Sequence, residues 1–367
     1  MFANLNYERS ILSLTSSVLG HFGVKTEHSP LPEFDRLLEK KYKNVVIMLF
    51  DGLGVSAINE HLTEDSFLRK HFVCDISSIF PSTTVAATTT ALSGLSPAEH
   101  GWLGWDLYFE EVGENVAVFR NTLQSNGKPA ADYNVAWRYI SYKDIFKQIE
   151  EVNGKGTAYC VSPFSKYRSK SVRDICKTVK RLTRKRKKKY IYTYWYQPDK
   201  AMHDYGVKSQ QAHEQILLIN DEVEKLCKRL KDTLVVVTAD HGLCDSVNYY
   251  LEDYPTLSDM LEIPPSVEPS RALSLFIKEG MKEEFKSEFI RLFGEDFILM
   301  TKEEVFKNYI FGPGKPHPRT YDFVGDFLAI ATGEKSLFFK REEREFTGVH
   351  AGLTMDEMTI PFIAIET

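Results

Sequence analysis

The chain has 367 residues, of which 43% are hydrophobic, 13% aromatic and 26% charged. That is ordinary globular composition, with enough apolar material for one large domain or a large domain carrying a small insert. A net charge of −5 is too mild to argue for a nucleic-acid or membrane partner. The cysteines (Cys74, Cys160, Cys176, Cys227 and Cys244) are odd in number and form no CxxC pair, so reduced thiols and a cytoplasmic location are expected.

The opening stretch "MFANLNYERSILSLTSSVLGHFG" mixes charged residues into its apolar pattern. It reads as an amphipathic helix and not as a signal peptide. No apolar run approaches the ~20 residues of a membrane span. "NVVIMLF" (44–50) is the first of six short apolar runs that read as strands buried on both faces, and Asp51-Gly52 follows it. The second is "VCDISSI" (73–79), followed by "FPSTTVAATTTALSGLSP" (80–97). There Pro81 turns the chain out of the strand, and "TVAATTTALSG" reads as a short helix closed by Gly94. A hydroxyl at the start of that helix would sit at the positive end of its dipole, beside free amides. The run alone does not say which hydroxyl. Those at 88 to 90 and at 93 are expected to bond back to helix carbonyls or to line the floor of a site.

The third strand is "GTAYCV" (156–161). "KRLTRKRKKK" (180–189), with eight basic residues, reads first as the end of a solvated helix, with a phosphate-steering or nucleic-acid role as the lesser reading. It leads into "YIYTYWY" (190–196), after which "QPDKAMH" supplies Asp199 and His203. Ala212, Ile216, Ile219, Val223, Leu226 and Leu230 then mark one helical stripe. "LVVVT" (234–238) is followed by "ADHG", with Asp240 and His241. Residues 247–320 are proline-rich and read as a small α+β insertion, a candidate cap. "GVHAG" places His350 ahead of the last strand, "IPFIAI" (360–365). Apolar strands alternating with helices predict a three-layer α/β/α sandwich with a mostly parallel sheet.

In such sheets ligands gather beyond the carboxyl ends of the strands. Asp51, Asp199, Asp240, His203, His241 and His350 all fall there. Converging carboxylates and imidazoles are what Zn²⁺ or Mn²⁺ sites require, and these ligands suffice for two ions with open positions. Together, "FDG", "FPSTT…TT.LSGL.P..HG", "PD…H", "TADHG" and "HAG" resemble the alkaline phosphatase superfamily, in its type I phosphodiesterase and nucleotide pyrophosphatase branch. The likeness runs from about residue 44 to the C-terminus, with 1–246 and 321–367 as core and 247–320 as insertion.

The resemblance implies that Thr84 is the nucleophile. One metal would be held by Asp51, Thr84, Asp240 and His241, the other by Asp199, His203 and His350, and zinc is the common ion. It implies hydrolysis of a small phosphate ester through phosphothreonine, with neither a nucleic-acid polymer nor a membrane as partner. Alternatives are a phosphomonoesterase, a phosphonate hydrolase, a phosphoryl transferase, or a metal-stabilised binding protein without activity. A sulfatase is disfavoured because no C-x-P-x-R segment is present. In that branch an asparagine is expected three residues after the nucleophile as a phosphate-oxygen donor, and here the position is Ala87. Trp105, Tyr194, Trp195 and Tyr205 are candidate stacking residues, with core packing as the plainer reading.

Overall fold

The computed structural model describes residues 3, 5–268, 270–341 and 345–367. All six expected strands form, in one sheet: β1 (Asn44–Phe50), β2 (Phe72–Ser77), β3 (Ala158–Val161), β4 (Lys189–Trp195), β5 (Thr233–Thr238) and β6 (Thr359–Glu366). Their order is β2-β6-β5-β1-β4-β3. β1 lies parallel to both β4 and β5, with Asn44 opposite Lys189 on one side and Thr233 on the other. β3 joins β4 in parallel. Every residue of β1 and β5 is buried, as expected for strands covered on both faces.

Two details depart from the sequence reading. β6 runs antiparallel to its neighbours β5 and β2, which a lone apolar run cannot reveal. β2 is an edge strand, with Phe72 and Val73 exposed, and is not covered on both faces.

Helices cover the sheet in two mutually packed groups. Ile11–His21, Thr84–Ser93 and Ile145–Asn153 form one; Val172–Thr183 and Gln210–Cys227 anchor the other. The first of these, Ile11–His21, is not amphipathic in place, because residues 11 to 19 are all buried. Its hydroxyls are satisfied locally. Ser10 and Ser13 form a capping box, Thr15 donates to the Ile11 carbonyl (2.9 Å) and Ser17 accepts from the Leu31 amide (2.9 Å). No helix among the described residues is long and apolar enough to cross a membrane.

A second, seven-stranded sheet has the order 297–301, 327–331, 272–275, 266–268, 106–109, 114–117 and 122–123, with antiparallel pairing throughout. It is not confined to 247–320, because strands 106–123 and 327–331 lie outside that range. Inside it, the Lys282–Phe293 helix buries Phe285, Phe289 and Phe293 at four-residue intervals, one stripe of a 3.6-residue period.

Candidate functional site

The carboxyl ends of β1, β4 and β5 bring three aspartates together. Asp51 follows β1, and its amide donates to the Trp195 carbonyl at the end of β4 (2.9 Å). The Asp199 amide in turn donates to the Asp51 carbonyl (2.9 Å), so parallel register carries across into the loops. Asp240 follows β5 by one residue. Its Oδ1 accepts from the Gly52 amide (3.1 Å) and the His241 amide (3.0 Å), which fixes the carboxylate and leaves the buried Oδ2 without a hydrogen bond. Gly52 has φ +73°, and a Cβ there would lie 2.9 Å from the Asp199 backbone. Glycine is required on both counts.

Thr84 begins its helix as foreseen, and Gly94, at φ 76°, closes it. Thr84 Oγ1 lies 3.3 Å from Asp51 Oδ1, 3.5 Å from Asp51 Oδ2 and 3.2 Å from His241 Nε2. The first-turn amides of a helix have no intrahelical acceptor, and the Thr83 side chain makes no capping bond here. The remaining hydroxyls have structural work. Thr88 donates to the Thr84 carbonyl (2.6 Å), Thr90 pairs with His100 (3.1 Å), and Ser93 accepts from the Leu95 amide (3.1 Å). Ser82 donates to the Gly352 carbonyl (2.9 Å).

The three histidines are each oriented by a backbone carbonyl on Nδ1, leaving Nε2 for the site. The partners are Gly348 for His203 (2.6 Å), Gly242 for His241 (3.1 Å) and Ser82 for His350 (3.0 Å). Such an arrangement sets which ring nitrogen faces a metal. His203 Nε2 is 3.2 Å and His350 Nε2 3.9 Å from Asp199 Oδ1, neither in hydrogen-bonding geometry. The rings of His241 and His350 stack at 3.8 Å.

Two sets of side chains have ligand atoms within 4.8 Å of one another: Asp51, Asp240 and His241, and Asp199, His241 and His350. The first is the set expected around Thr84. In the second, His241 takes the place expected for His203, which reaches the site through Asp199. Carboxylate oxygen and imidazole nitrogen suit a divalent transition ion. The unsatisfied Asp240 Oδ2 and the Asp199 Oδ1 faced by two imidazoles are where such ions fit.

Charge crowding supports the same conclusion. Burial, then the Asp240 and Asp199 carboxylates, push Asp51 well above the usual carboxylate range. Burial also raises Asp240. Partial burial works to raise Asp199 too, but the His203, His350 and His241 imidazoles hold it below its ordinary value. Burial, followed by His241 and His203, keeps His350 well below its ordinary value and hence neutral, the form that binds metal. Like-charged carboxylates this close call for a cation between them.

Three further residues carry weight that sequence reading missed. The Tyr194 hydroxyl donates a short hydrogen bond to Asp51 Oδ2, so this residue, singled out only as a stacking candidate, orients a ligand. Arg271 and Glu357, both wholly buried, form a two-pronged ion pair (2.9 and 2.6 Å). Glu357 also accepts from the Gly352 amide (2.8 Å), and its carbonyl accepts from the Gly242 amide (2.8 Å). Glu357, held by Arg271 at the start of a strand of the second sheet, thus contacts the loops bearing His241 and His350 through its carbonyl and its carboxylate. Between His350 and Gly352, Ala351 holds φ +95°, a strained conformation for a non-glycine residue. The aspartates stand at strand ends and were legible; a buried pair 86 residues apart leaves no local pattern.

Several positions raised by the sequence can now be placed. Ala87 is 0% exposed and packs in the main apolar core. Trp195 is buried and offers no stacking surface, whereas Tyr205 is exposed and Trp105 lies under Arg120.

A three-layer sandwich with carboxylates, imidazoles and a helix-start hydroxyl at the carboxyl edge of its sheet defines a class, the alkaline-phosphatase-like metallohydrolases. Residues 45–352 match the model of the type I phosphodiesterase / nucleotide pyrophosphatase family. The chain belongs to that family, whose members hydrolyse phosphoric ester and phosphoanhydride bonds. No curated protein matches. Among solved structures, murine ectonucleotide pyrophosphatase/phosphodiesterase 5 is similar at 17% identity and a TM-score of 0.66, covering 88% of each chain. The human counterpart has 16% identity and a TM-score of 0.65, covering 88% of this chain and 87% of that one. Phosphonoacetate hydrolase from Sinorhizobium meliloti, in complex with phosphonoformate, has 15% identity and a TM-score of 0.65, covering 87% and 89%. At these identities the likeness is one of fold.

Proposed function

We propose that the protein is a two-metal phosphodiesterase or nucleotide-pyrophosphatase-like hydrolase that cleaves a small phosphate ester through phosphothreonine at Thr84. The observation that carries this reading is the position of Thr84 Oγ1, within 3.5 Å of both Asp51 and His241 at the first residue of a helix.

Asp51, Asp240 and His241 would hold one ion, and Asp199, His350 and His203 or His241 the other, with zinc favoured and manganese the alternative. Such ions would offset phosphoryl charge and lower the pKa of the Thr84 hydroxyl and of a water. Thr84 Oγ attacks phosphorus in line, and its proton leaves toward Asp51 Oδ1. The bond from phosphorus to the leaving oxygen breaks as the Thr84 ester forms. Water then attacks from the vacated side, the bond from phosphorus to Oγ breaks, and Thr84 recovers its proton. The first-turn amides supply donors for the non-bridging oxygens in both steps, taking the role looked for at position 87. Tyr194 holds Asp51 in place throughout.

The five free thiols fit a reducing, cytoplasmic setting. AMP is bound by an inactive variant of the murine relative and phosphonoacetate by the bacterial one, so both chemistries belong in the test. Metal-free protein, reloaded with zinc or manganese, is assayed on an aryl phosphodiester, an aryl phosphomonoester, a dinucleotide and phosphonoacetate. An acid-quenched turnover mixture is then searched for a phosphopeptide containing Thr84. Diester or dinucleotide cleavage with a trapped phosphopeptide is expected. Full activity in metal-free protein, or phosphate on another residue, would overturn the proposal.

A further inference from the structure

The site occupies one rim of the main sheet, and the opposite rim has a chemistry of its own. The parallel strands β5, β1, β4 and β3 are neighbours in that order, so the loops entering them stand side by side over about 15 Å. Basic residues outnumber acidic ones in them: "KRLKD" (228–232), "EKKYK" (39–43), "RKRKK" (184–188) and "GK" (154–155), with Asp232 and Glu39 the acidic members. The chain as a whole is net −5, so positive charge is concentrated here against the balance of the molecule.

Little of this charge is neutralised internally. Lys40 pairs with Glu366 (2.5 Å) and Lys228 with Glu224 (2.8 Å). Lys185, Lys187 and Lys188 instead donate to the Tyr159 hydroxyl (3.1 Å), the Lys155 carbonyl (2.9 Å) and the His21 carbonyl (3.4 Å). Among the described residues, no carboxylate lies within ion-pair distance of these three, or of Lys41, Lys155 and Arg186. Partial burial and then the Lys41 charge lower Lys188, a sign of like charges held close. Amid these lysines stands Val152, 57% exposed, beside Gly23. The only aromatic residue in the four loops, Tyr42, is buried.

We infer that this rim is a docking surface for an anionic lipid bilayer. Clustered lysines gain from a negative headgroup layer, and an apolar side chain among them fits the interface beneath it. A single-stranded nucleic acid would call for exposed rings on which bases stack, and these loops have none. Docking by this rim points the catalytic edge away from the membrane, open to soluble substrate. The protein would associate with the surface and not span it.

The test is co-sedimentation of the intact protein with phosphatidylcholine vesicles containing about a third phosphatidylserine, at about 0.15 M salt. Binding is expected to these vesicles and not to pure phosphatidylcholine, and to fade at about 0.5 M salt. Each charge removed is expected to weaken it roughly fivefold, so Lys155→Glu/Arg186→Glu/Lys187→Glu should lose at least about a hundredfold. Turnover of a soluble aryl phosphodiester should be unchanged in that variant, and Val152→Ser should cost a few-fold in vesicle affinity. The inference is overturned if wild type ignores the anionic vesicles, binds neutral ones equally, or is matched by the triple variant. Tighter binding to an oligonucleotide than to vesicles at equal phosphate would replace the bilayer by a nucleic acid. None of these outcomes depends on the proposed hydrolysis.

Discussion

The two rims of the main sheet are opposite solutions to charge crowding. At the carboxyl rim, Asp51 and Asp240 are buried and Asp199 half-buried, and they face three histidines, Thr84 and Tyr194. Their repulsion is stored inside the protein, where the dielectric is low. At the amino rim the lysines are exposed, water screens them, and Lys185, Lys187 and Lys188 find a hydroxyl or a carbonyl. Burial is the difference. It makes the acidic rim a place where one or two ions have a large effect, and the basic rim a place where many weak contacts add up.

The sharpest way to break this comparison is at Thr84. Thr84→Ala removes the proposed attacking oxygen but no aspartate or histidine, so turnover should fall by at least about 10⁴-fold while metal stoichiometry stays close to wild type. Steady-state kinetics alongside elemental analysis checks both halves. Ser82→Ala is not a neutral control, because it unties the Gly352 carbonyl beside His350. If Thr84→Ala kept its turnover, the carboxyl rim would hold metal without using this hydroxyl.

Arg271→Met probes how the acidic rim is supported. Removing one partner of a wholly buried ion pair costs about 3–5 kcal/mol. The loops of His241 and His350 lean on Glu357, so metal affinity should also fall about 10–100-fold. Urea unfolding of metal-free protein and chelator competition measure the two effects separately. A loss of stability with metal affinity unchanged would mean that the pair serves only the second sheet. Arg271→Met combined with Glu357→Met should recover part of the stability and none of the metal affinity.

The same contrast explains what was legible. Strand ends were, because runs such as "NVVIMLF" mark a buried strand without ambiguity, and in open α/β sheets ligands bind just beyond the carboxyl ends of such strands. The six candidate ligand positions were chosen on that basis, and the threonine run was read through its neighbours. The antiparallel direction of β6 and the span of the second sheet were not legible. Strands 106–109 and 266–268 are four and three residues long, and they pair across some 160 residues of chain (Asp106 opposite Val267). Nothing local records such a pairing. The environment of Ala87 was hidden for a related reason: a position three residues beyond Thr84 is close in sequence, but its side chain falls on the core face of the helix.

Ala87→Asn therefore becomes a test of packing. Adding a polar side chain at a closed core position should destabilise by about 2–3 kcal/mol. It should also lower activity on every substrate alike, with the ratio of kcat/KM between diester and dinucleotide unchanged. A raised ratio in favour of nucleotides would show that position 87 reaches the phosphate after all.

The smallest effect is expected at the basic rim. His21 is lowered to about 4, first by burial and then by the Lys188 charge. Because its folded value lies below the unfolded ~6.5, the unfolded chain binds the extra proton first. Stability is whole above about pH 6.5 and is lost as pH falls toward 4. His21 is half-buried, so screening by solvent reduces the loss to about 1–2 kcal/mol. His21→Gln should flatten the stability curve by that amount between pH 7 and 4 in metal-free protein. Metal release then plays no part, and His100, lowered to about 3 by its burial, contributes equally to both proteins. Raising the salt should screen the share due to Lys188 and leave the share due to burial. A difference between wild type and variant that does not change with salt would mean that the lysines around His21 are already screened, and that the repulsion read into the basic rim is too weak to act on a neighbouring group.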